Sequence, residues 1–181
     1  MIKNEKKDKP FAGVVVYYSG SIHGSPEPDE MLPTKIKDYL LVNGANVLSE
    51  HVAASTKDEM RKVLAGRTGK TVAEFDQMSD HDWALFIRKT DIDWVNRATH
   101  VVALVNGASH GVGMELQRAL DKPRLGLSET PILCLRHADT MDTLSLMIRG
   151  ITKEESPSFT LVPYKNFEDI KRAIDSFFGK K

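Results

Sequence analysis

Acidic residues at two separate points of the sequence could perform acid–base or nucleophilic chemistry. Asp91 and Asp93 lie in the segment Thr90-Asp91-Ile92-Asp93-Trp94, and Glu115 follows a glycine-rich segment at 111–113. On a helix, residues two apart point in different directions, so one of the two aspartates can face a ligand while the other faces solvent. From the residues alone, surface charges and a glutamate that stabilises a helix start are the simpler explanation.

Two segments rich in glycine and serine could hold an anionic ligand. In Ser19-Gly20-Ser21-Ile22-His23-Gly24, small residues permit close approach and supply N–H and hydroxyl donors, although a plain surface turn has the same composition. In Gly111-Val112-Gly113-Met114-Glu115-Leu116, the start of a helix can bind an anion. The second segment is not a dinucleotide-binding fingerprint, because Leu116 replaces the third glycine, and no Walker lysine follows.

The histidines and the single cysteine argue against metal and thiol chemistry. The six histidines lack the spacing of metal ligands, so we expect no metal site and no cofactor. Cys134 lies in an apolar run and is expected to be a structural thiol, and one cysteine allows no internal disulfide. Ser109 and His110 are adjacent, which is not the geometry of a catalytic triad.

The composition indicates one neutral globular domain. Of the 181 residues, 41% are hydrophobic, and 25 Lys plus Arg balance 25 Asp plus Glu. Neutrality argues against binding of a nucleic acid polymer, which needs a basic surface. No apolar run approaches the roughly 18 residues of a membrane span, and the charged start lacks the apolar segment of a signal peptide. We expect a disordered lead-in at 1–10, a single domain at 11–181, and a cytoplasmic location, or a nuclear one in a eukaryote.

Apolar runs alternate with helical patterns along the chain. Strands are predicted at 11–18, 45–48, 100–105, 131–135 and 158–162, and helices at 33–41, 57–64, 82–97, 114–120, 142–148 and 167–178. This alternation predicts an α/β, Rossmann-like three-layer sandwich with a mostly parallel five-stranded sheet. In such sheets ligands bind beyond the carboxyl ends of the strands, which here are Tyr18, Leu48, Val105 and Leu135. The predicted start of the fourth helix puts Glu115 in its first turn.

Five segments, taken together and in order, carry a family resemblance. They are Tyr17-Tyr18-Ser19-Gly20-Ser21-Ile22, Leu48-Ser49-Glu50-His51-Val52-Ala53-Ala54, Asp91-Ile92-Asp93-Trp94, Ser109-His110-Gly111-Val112-Gly113-Met114-Glu115-Leu116 and Leu144-Ser145-Leu146-Met147-Ile148-Arg149-Gly150. The set resembles the 2′-deoxynucleoside 5′-monophosphate N-glycosidases, the Rcl-type branch of the nucleoside 2-deoxyribosyltransferase superfamily. The resemblance implies a flavodoxin-like sheet, a homodimer, and hydrolysis of the bond between a base and deoxyribose 5-phosphate.

The resemblance also implies a role for each matching residue. Glu115 would be the nucleophile at the anomeric carbon, Asp91 the partner carboxylate that handles protons on the base or water, and Tyr17 a positioning group. Sugar and phosphate would contact a set of loop residues: Gly20, Ser21, Ile22, His23, Gly24, Ser109, Gly111, Ser145, Leu146 and Met147. In the family, the residue matching Ser145 comes from the neighbouring subunit. His23 stands where the family commonly has arginine, so a weaker selectivity for monophosphates is expected.

The implied chemistry agrees with the residue types. N-glycosidic cleavage passes through an oxocarbenium-like state that two carboxylates can stabilise, and it needs neither a metal nor a redox cofactor. Two other functions use the same framework: a nucleoside 2-deoxyribosyltransferase that moves deoxyribose between bases, or a hydrolase of ribonucleotides. A non-catalytic nucleotide-binding module is a further alternative, because a fold alone does not determine chemistry.

Overall fold

A computed structural model describes residues 9–21 and 29–179 and contains one five-stranded parallel sheet. The strands are Val15–Gly20 (β1), Asn46–Val47 (β2), His100–Leu104 (β3), Ile132–His137 (β4) and Phe159–Tyr164 (β5). They lie in the order β2-β1-β3-β4-β5, and every pairing is parallel. The predicted α/β class and number of strands are thus confirmed.

Helices connect the strands and cover the sheet on both sides. The α-helices are Leu32–Val42 (α1), Lys57–Thr68 (α2), Val72–Asp76 (α3), Asp80–Arg97 (α4), His110–Asp121 (α5), Leu146–Arg149 (α6) and Phe167–Phe177 (α7). Short 3₁₀ helices span Glu50–Ala53, Pro123–Leu125 and Ala138–Thr143. Within the described ranges, no helix is both long and apolar enough to cross a membrane.

Side chains on the strands alternate between two cores, because successive residues of a strand point to opposite faces. On β1, Val16 and Tyr18 lie in the core that α1 and α7 cover. Tyr17 lies in the opposite core, with residues of α2, α4 and α5. The odd positions of β1 therefore face the helices that carry Asp91 and Glu115.

The first strand begins four residues later than the sequence predicts and extends through Ser19 and Gly20. Phe11 lies instead in a turn that ends at Gly13, whose φ of 84° is a left-handed conformation suited to glycine. The Phe11 ring packs against Phe178, and the backbone N–H of Phe11 donates to the carbonyl of Asn43. The apolar run therefore divides between a packed turn and a strand.

The helix that carries Glu115 begins at His110 rather than at the predicted Met114. The Ser109 hydroxyl accepts a hydrogen bond from the N–H of Val112, which is buried in the core. Packing of Val112 thus outweighs the low helix propensity of the two glycines in this turn. Glu115 consequently lies in the second turn of α5, and the prediction of a first-turn position is wrong.

Two other local predictions were incomplete. The helix expected at 142–148 is a 3₁₀ helix, Ala138–Thr143, followed by the single turn of α6. The connection after α2 contains a helix that was not predicted, α3, which begins with a capping box between Thr71 and Glu74. Hydrophobic periodicity does not predict this helix, because Phe75 is its one buried residue.

Candidate active site

The carboxyl end of β1 brings Tyr17 and Ser19 to the carboxylate of Glu115. Tyr17 and Ser19 are two residues apart on the strand, so both side chains point toward α4 and α5. The Ser19 hydroxyl is buried and donates to Oε2 of Glu115 at 2.5 Å. This hydrogen bond fixes the carboxylate against the strand.

Burial changes the acidity of Glu115. Removal from water raises the pKa of this carboxyl, while hydrogen bonding from Ser19 and the neighbouring Tyr17 hydroxyl oppose the rise. A donor on a carboxylate stabilises its ionised form, which is the form that can attack an electrophilic carbon. The site therefore holds Glu115 as a partly desolvated, oriented carboxylate.

Asp91 is the second buried carboxyl of the site, and its side chain is only 14% exposed. Burial, followed by the negative charge of Glu115, raises the pKa of Asp91 to about 7. Repulsion between two neighbouring carboxylates favours a state in which only one of them is ionised, and the hydrogen bond from Ser19 favours Glu115 as that one. The pair thus suits one carboxylate and one group that can donate a proton.

Tyr17 lies beside both carboxyls. Burial, then the negative charges of Glu115 and Asp91, raises the pKa of its hydroxyl well above the ordinary value, so the phenol stays protonated. Among the described residues, none forms a hydrogen bond of good geometry with this hydroxyl or with Oδ1 of Asp91. Buried polar atoms are normally paired, so these two atoms are suited to contact a ligand.

His51, from the 3₁₀ helix Glu50–Ala53, contacts Asp91 from the other side. Its Nε2 lies 3.6 Å from Oδ1 of Asp91, which is too far for a hydrogen bond, and its ring packs against Trp94. Burial lowers the pKa of His51 to about 4, so the ring is neutral at physiological pH. It forms an uncharged wall of the site beside Asp91.

Asp93, the other member of the acidic cluster, faces solvent. Its carboxylate pairs with Arg97 at 3.3 Å, and its side chain is 58% exposed. The different directions expected for Asp91 and Asp93 are therefore confirmed.

Ser109 and Gly111 lie at the start of α5, close to Glu115. A Cβ atom added to Gly111 would stand 3.8 Å from both Oε1 of Glu115 and Oγ of Ser109. The absent side chain at position 111 leaves open space above the carboxylate, bounded by a serine hydroxyl. The start of α5 is thus an element on which an anionic group could rest.

The loop after β1 is only partly described. Gly20 is the last residue of β1, where a Cβ atom would stand 3.2 Å from Cγ1 of Val52, and Ser21 follows it directly. The predicted contacts of Ile22, His23 and Gly24 lie outside the described residues. Gly20 and Ser21 continue the line of the strand that carries Tyr17 and Ser19.

Ser145, Leu146 and Met147 lie at the surface, after the carboxyl end of β4. Ser145 caps α6 through the N–H of Met147, and the side chains of Leu146 and Met147 are 78% and 80% exposed. Buried Arg136 on β4 fixes the preceding turn through the carbonyl of Thr140. Within the described part of the chain, no hydrogen bond connects Ser145 with Glu115 or Asp91.

The described residues contain no group of three His, Cys, Asp or Glu side chains that could hold a metal ion. Cys134 is buried in β4, and burial raises the pKa of its thiol to about 12, as expected for a structural thiol. A surface cavity of about 520 Å³ lies between α2, α3 and α4, lined by residues such as Met60, Phe75 and Trp83. Neither Asp91 nor Glu115 lines this cavity, so it is separate from the carboxyl pair.

Sequence reasoning brought together Tyr17, Asp91 and Glu115 but missed two side chains of the site. Ser19 was grouped with a glycine-rich loop, although its spacing of two from Tyr17 puts both on one face of a strand. His51 belongs to the second of the five segments that carry the family resemblance, which assigned it no role. Its position four residues after β2, at a carboxyl strand end, was the available signal.

Comparisons with known proteins show which sequences the chain resembles. The chain is 38% and 35% identical, over 163 residues each, to the 5-hydroxymethyl-dUMP N-hydrolases of Mus musculus and Rattus norvegicus, covering 90% of this chain and 79% and 83% of those proteins. It is 32% identical over 166 residues to the 5-hydroxymethyl-dUMP N-hydrolase of Tetraodon nigroviridis, covering 92% of this chain and 98% of that protein. No family model matches the chain.

A solved structure shares the fold. The Clostridium botulinum CMP N-glycosidase, BcmB, superposes with a TM-score of 0.51 at 15% sequence identity, covering 90% of this chain and 98% of the other. At this identity the likeness concerns the fold alone. The sequence relatives, which align over nearly the whole chain, decide the family. The chain belongs to the family of the 5-hydroxymethyl-dUMP N-hydrolases, among the 2′-deoxynucleoside 5′-phosphate N-hydrolases.

Proposed function

We propose that this protein hydrolyses the N-glycosidic bond of (2′-deoxy)nucleoside 5′-monophosphates, giving the free base and (deoxy)ribose 5-phosphate. The observation that carries the proposal is the meeting of two largely buried carboxyls, Glu115 and Asp91, beside the Tyr17 hydroxyl, which has no hydrogen bond of good geometry within the described residues. The donor Ser19 favours Glu115 as the carboxylate, and the raised pKa of Asp91 suits a proton donor. The names of the relatives support the substrate class.

In the first step, the Glu115 carboxylate attacks the anomeric carbon of the sugar. The bond from this carbon to the base nitrogen breaks, and its electron pair leaves with the base. Protonated Asp91 donates a proton to the departing base, so that the base leaves as a neutral molecule. The product is a glycosyl ester on Glu115, formed through an oxocarbenium-like transition state.

In the second step, water attacks the same carbon. The Asp91 carboxylate accepts the proton of the water, and the ester bond breaks with its electron pair returning to Glu115. Tyr17 stays protonated and donates toward the carboxylate or the sugar, which keeps both in line. Asp91 ends the cycle protonated, and Glu115 ends it ionised.

The phosphate and sugar would rest on the serine and glycine residues around this pair. Gly20, Ser21, Ser109 and Gly111 supply hydroxyls, N–H groups and open space, and the start of α5 favours an anion. The resemblance assigns substrate contacts to Ile22, His23 and Gly24 as well, which lie outside the described residues. We also infer a homodimer in which Ser145, Leu146 and Met147 of each protomer complete the neighbouring site; their exposure at the surface is what supports this.

A hydrolysis screen tests the proposed reaction. Wild-type protein is incubated with deoxynucleoside and nucleoside monophosphates and with unphosphorylated controls, and release of free base is measured by chromatography. Glu115→Gln should reduce release by at least about a thousandfold, because the nucleophile is lost. Asp93→Asn, a change of exposed charge on the same helix as Asp91, should leave the rate unchanged. Full activity of Glu115→Gln would contradict the assigned nucleophile.

The same screen separates the alternative functions. A new nucleoside formed after addition of an acceptor base would indicate a transferase, and faster release from ribonucleotides would indicate a different sugar preference. Binding of a nucleotide without turnover across the whole panel would indicate a binding module. If the glycosyl ester on Glu115 forms, the intact mass of the protein, measured after rapid quenching of the reaction, should increase by that of a bound sugar phosphate.

A further inference from the structure

A buried lysine links the two helices that carry the carboxyl pair. Lys122 follows α5 directly and is only 2% exposed. Its ammonium group donates to the carbonyls of Ala98 at 2.8 Å and Val95 at 3.3 Å, which belong to the last turn and the C-cap of α4. The ion pairs formed by the described residues include no carboxylate partner for Lys122.

The partners of Lys122 compensate its charge only in part. The carbonyl end of a helix carries a partial negative charge, which favours a cation there. Burial, followed by the positive charge of Arg118, nevertheless lowers the pKa of the Lys122 ammonium group. A buried cation without a carboxylate partner is costly, so its position needs a structural or functional reason.

The spacing of residues relates this contact to the active site. Asp91 and Ala98 are seven residues apart at the end of α4, and Glu115 and Lys122 are seven residues apart at the end of α5. Seven residues make almost two full turns, so each pair lies on one side of its helix, about 10.5 Å apart along the axis. The contact of Lys122 with Ala98 therefore joins the same faces of α4 and α5 that carry Asp91 and Glu115, and it lies two turns nearer the C-terminal end of each helix.

A second contact between the two helices lies one turn nearer to the site. Nε of Arg118 donates to Oδ1 of Asn96 at 2.8 Å, and Arg118 is three residues after Glu115. Together the two contacts connect α5 with the end of α4 at two positions along the helix axes, one turn apart. Thr130 also donates to the Ala98 carbonyl, at 3.4 Å, but it lies in the segment before β4 and does not connect the helices.

We propose that Lys122, supported by Arg118, is a positioning residue that sets the separation of the Asp91 and Glu115 carboxyls. It touches neither carboxyl and acts through the packing of α4 against α5. The effect on turnover rests on the proposed function. A displacement of a catalytic group by about 1 Å can cost on the order of a hundredfold in rate, so a contact two turns away can influence the reaction.

The test compares five variants of the chain, one of which, Arg118→Met, removes the contact with Asn96. Lys122→Met removes the contact, and Lys122→Arg keeps a cation that can reach the same carbonyls. Thr130→Val removes the other donor to Ala98 without breaking the link between the helices. Arg124→Met removes one positive charge, that of an exposed side chain paired with Asp121, two residues from Lys122.

The first measurement is the ¹³C titration of the Asp91 carboxyl in the free protein. Among the residues that the structure describes, the charged and titratable groups that face Asp91 are Glu115 from α5, Tyr17 from β1 and His51 from the 3₁₀ helix. If Lys122→Met lets the helices separate, burial and repulsion by Glu115 weaken and the pKa of Asp91 falls from about 7 toward its ordinary value. Loss of a positive charge alone would move this pKa upward, so the direction of the shift decides between the two effects.

The second measurement is steady-state hydrolysis of the nucleotide that the screen identifies. Lys122→Met should lower kcat about tenfold or more with KM nearly unchanged, Lys122→Arg should restore it, and Arg118→Met should act in the same direction with a smaller effect. Thr130→Val and Arg124→Met should keep the wild-type kcat and Asp91 titration. An unchanged or raised pKa of Asp91 in a folded Lys122→Met protein, or in Arg118→Met if Lys122→Met does not fold, overturns the proposal. If no nucleotide is hydrolysed by the wild type, the proposed function fails, while the titration still tests the role of Lys122.

Discussion

At the scale of single residues, the active site separates two carboxyls of similar chemistry by their surroundings. Ser19 donates to Glu115 and favours its ionised form. Asp91 has no such donor of good geometry on Oδ1, and both burial and the charge of Glu115 favour its protonated form. The proposed division into nucleophile and acid thus rests on the neighbours of each carboxyl rather than on residue type.

This division predicts how the rate depends on pH. We expect kcat/KM for base release to fall as pH rises through about 7, because Asp91 of the free protein loses the proton that it would give to the base. It should also fall at acidic pH, where Glu115 becomes protonated. Values measured from pH 5 to 9 test this, with Asp93→Asn as the control. A kcat/KM that stays constant up to pH 9 would show that Asp91 is not the acid.

The same acidity makes a prediction about stability. The pKa of Asp91 is raised in the folded protein, from 3.8 to about 7, so ionisation of this group weakens the folded state as pH rises across that interval. Asp91→Asn should therefore increase the free energy of unfolding at pH 8, by a few kcal/mol at most, and the gain should vanish near pH 4. Urea unfolding at several pH values measures it. An Asp91→Asn protein less stable than Asp93→Asn at pH 8 would contradict the buried ionised carboxylate.

Ser19 allows a test of the hydrogen bond itself. Ser19→Ala removes the donor to Glu115, so the pKa of Glu115 should rise further and the acidic limb of the kcat/KM profile should move to higher pH. Alanine at a buried serine position is otherwise a small change. The pH profile of the variant measures the shift, and an acidic limb that stays in place would assign the Ser19 hydroxyl to structure alone.

At the scale of elements, the glycines at the start of α5 lower the stability of the helix and leave space beside Glu115. Gly111 and Gly113 both lie in its first turns, and glycine costs up to about 1 kcal/mol relative to alanine in a helix. An added Cβ at Gly111 would enter the space above Glu115, whereas one at Gly113 would meet nothing within 4 Å. Two glycines in equivalent helical positions therefore differ in their relation to the site.

Alanine substitutions at these glycines separate the two effects. Both Gly111→Ala and Gly113→Ala should increase the free energy of unfolding by about 0.5–1 kcal/mol. Only Gly111→Ala should raise KM for the nucleotide, because only its methyl group occupies the space beside Glu115 and Ser109. Thermal unfolding and steady-state kinetics of both variants give the comparison. Equal KM values for the two would show that substrate does not enter this space.

At the scale of the whole molecule, the described chain leaves apolar side chains exposed next to Ser145, which is predicted to bind substrate. Leu146 and Met147 are among the most exposed large apolar residues and directly follow Ser145. Net charge is zero, so a single phosphate would be bound by hydroxyls, N–H groups and a helix end rather than by a basic surface. The exposed apolar pair is the feature that supports the proposed site shared between two copies of the chain.

Mixing two inactive variants tests the shared site. Ser145→Ala and Glu115→Gln should each lose activity, but a mixed dimer contains one site with Glu115 from one protomer and Ser145 from the other. After exchange of subunits, activity should therefore return in part. Ultracentrifugation checks that dimers are present. Absence of recovery in mixed dimers would place Ser145 in its own protomer's site or outside any site.

The sequence by itself determined the class of fold, the five strands, and the ordered segments that identify the family. These are encoded locally, by apolar runs, helix periodicity and short motifs. Tertiary structure decided which side chains meet. Ser19 reaches Glu115 across 96 positions of sequence because β1 extends to Gly20 and α5 begins at His110. The raised pKa of Asp91 and the contact of Lys122 with α4 likewise depend on burial and on distances between helices, and no local pattern contains either quantity.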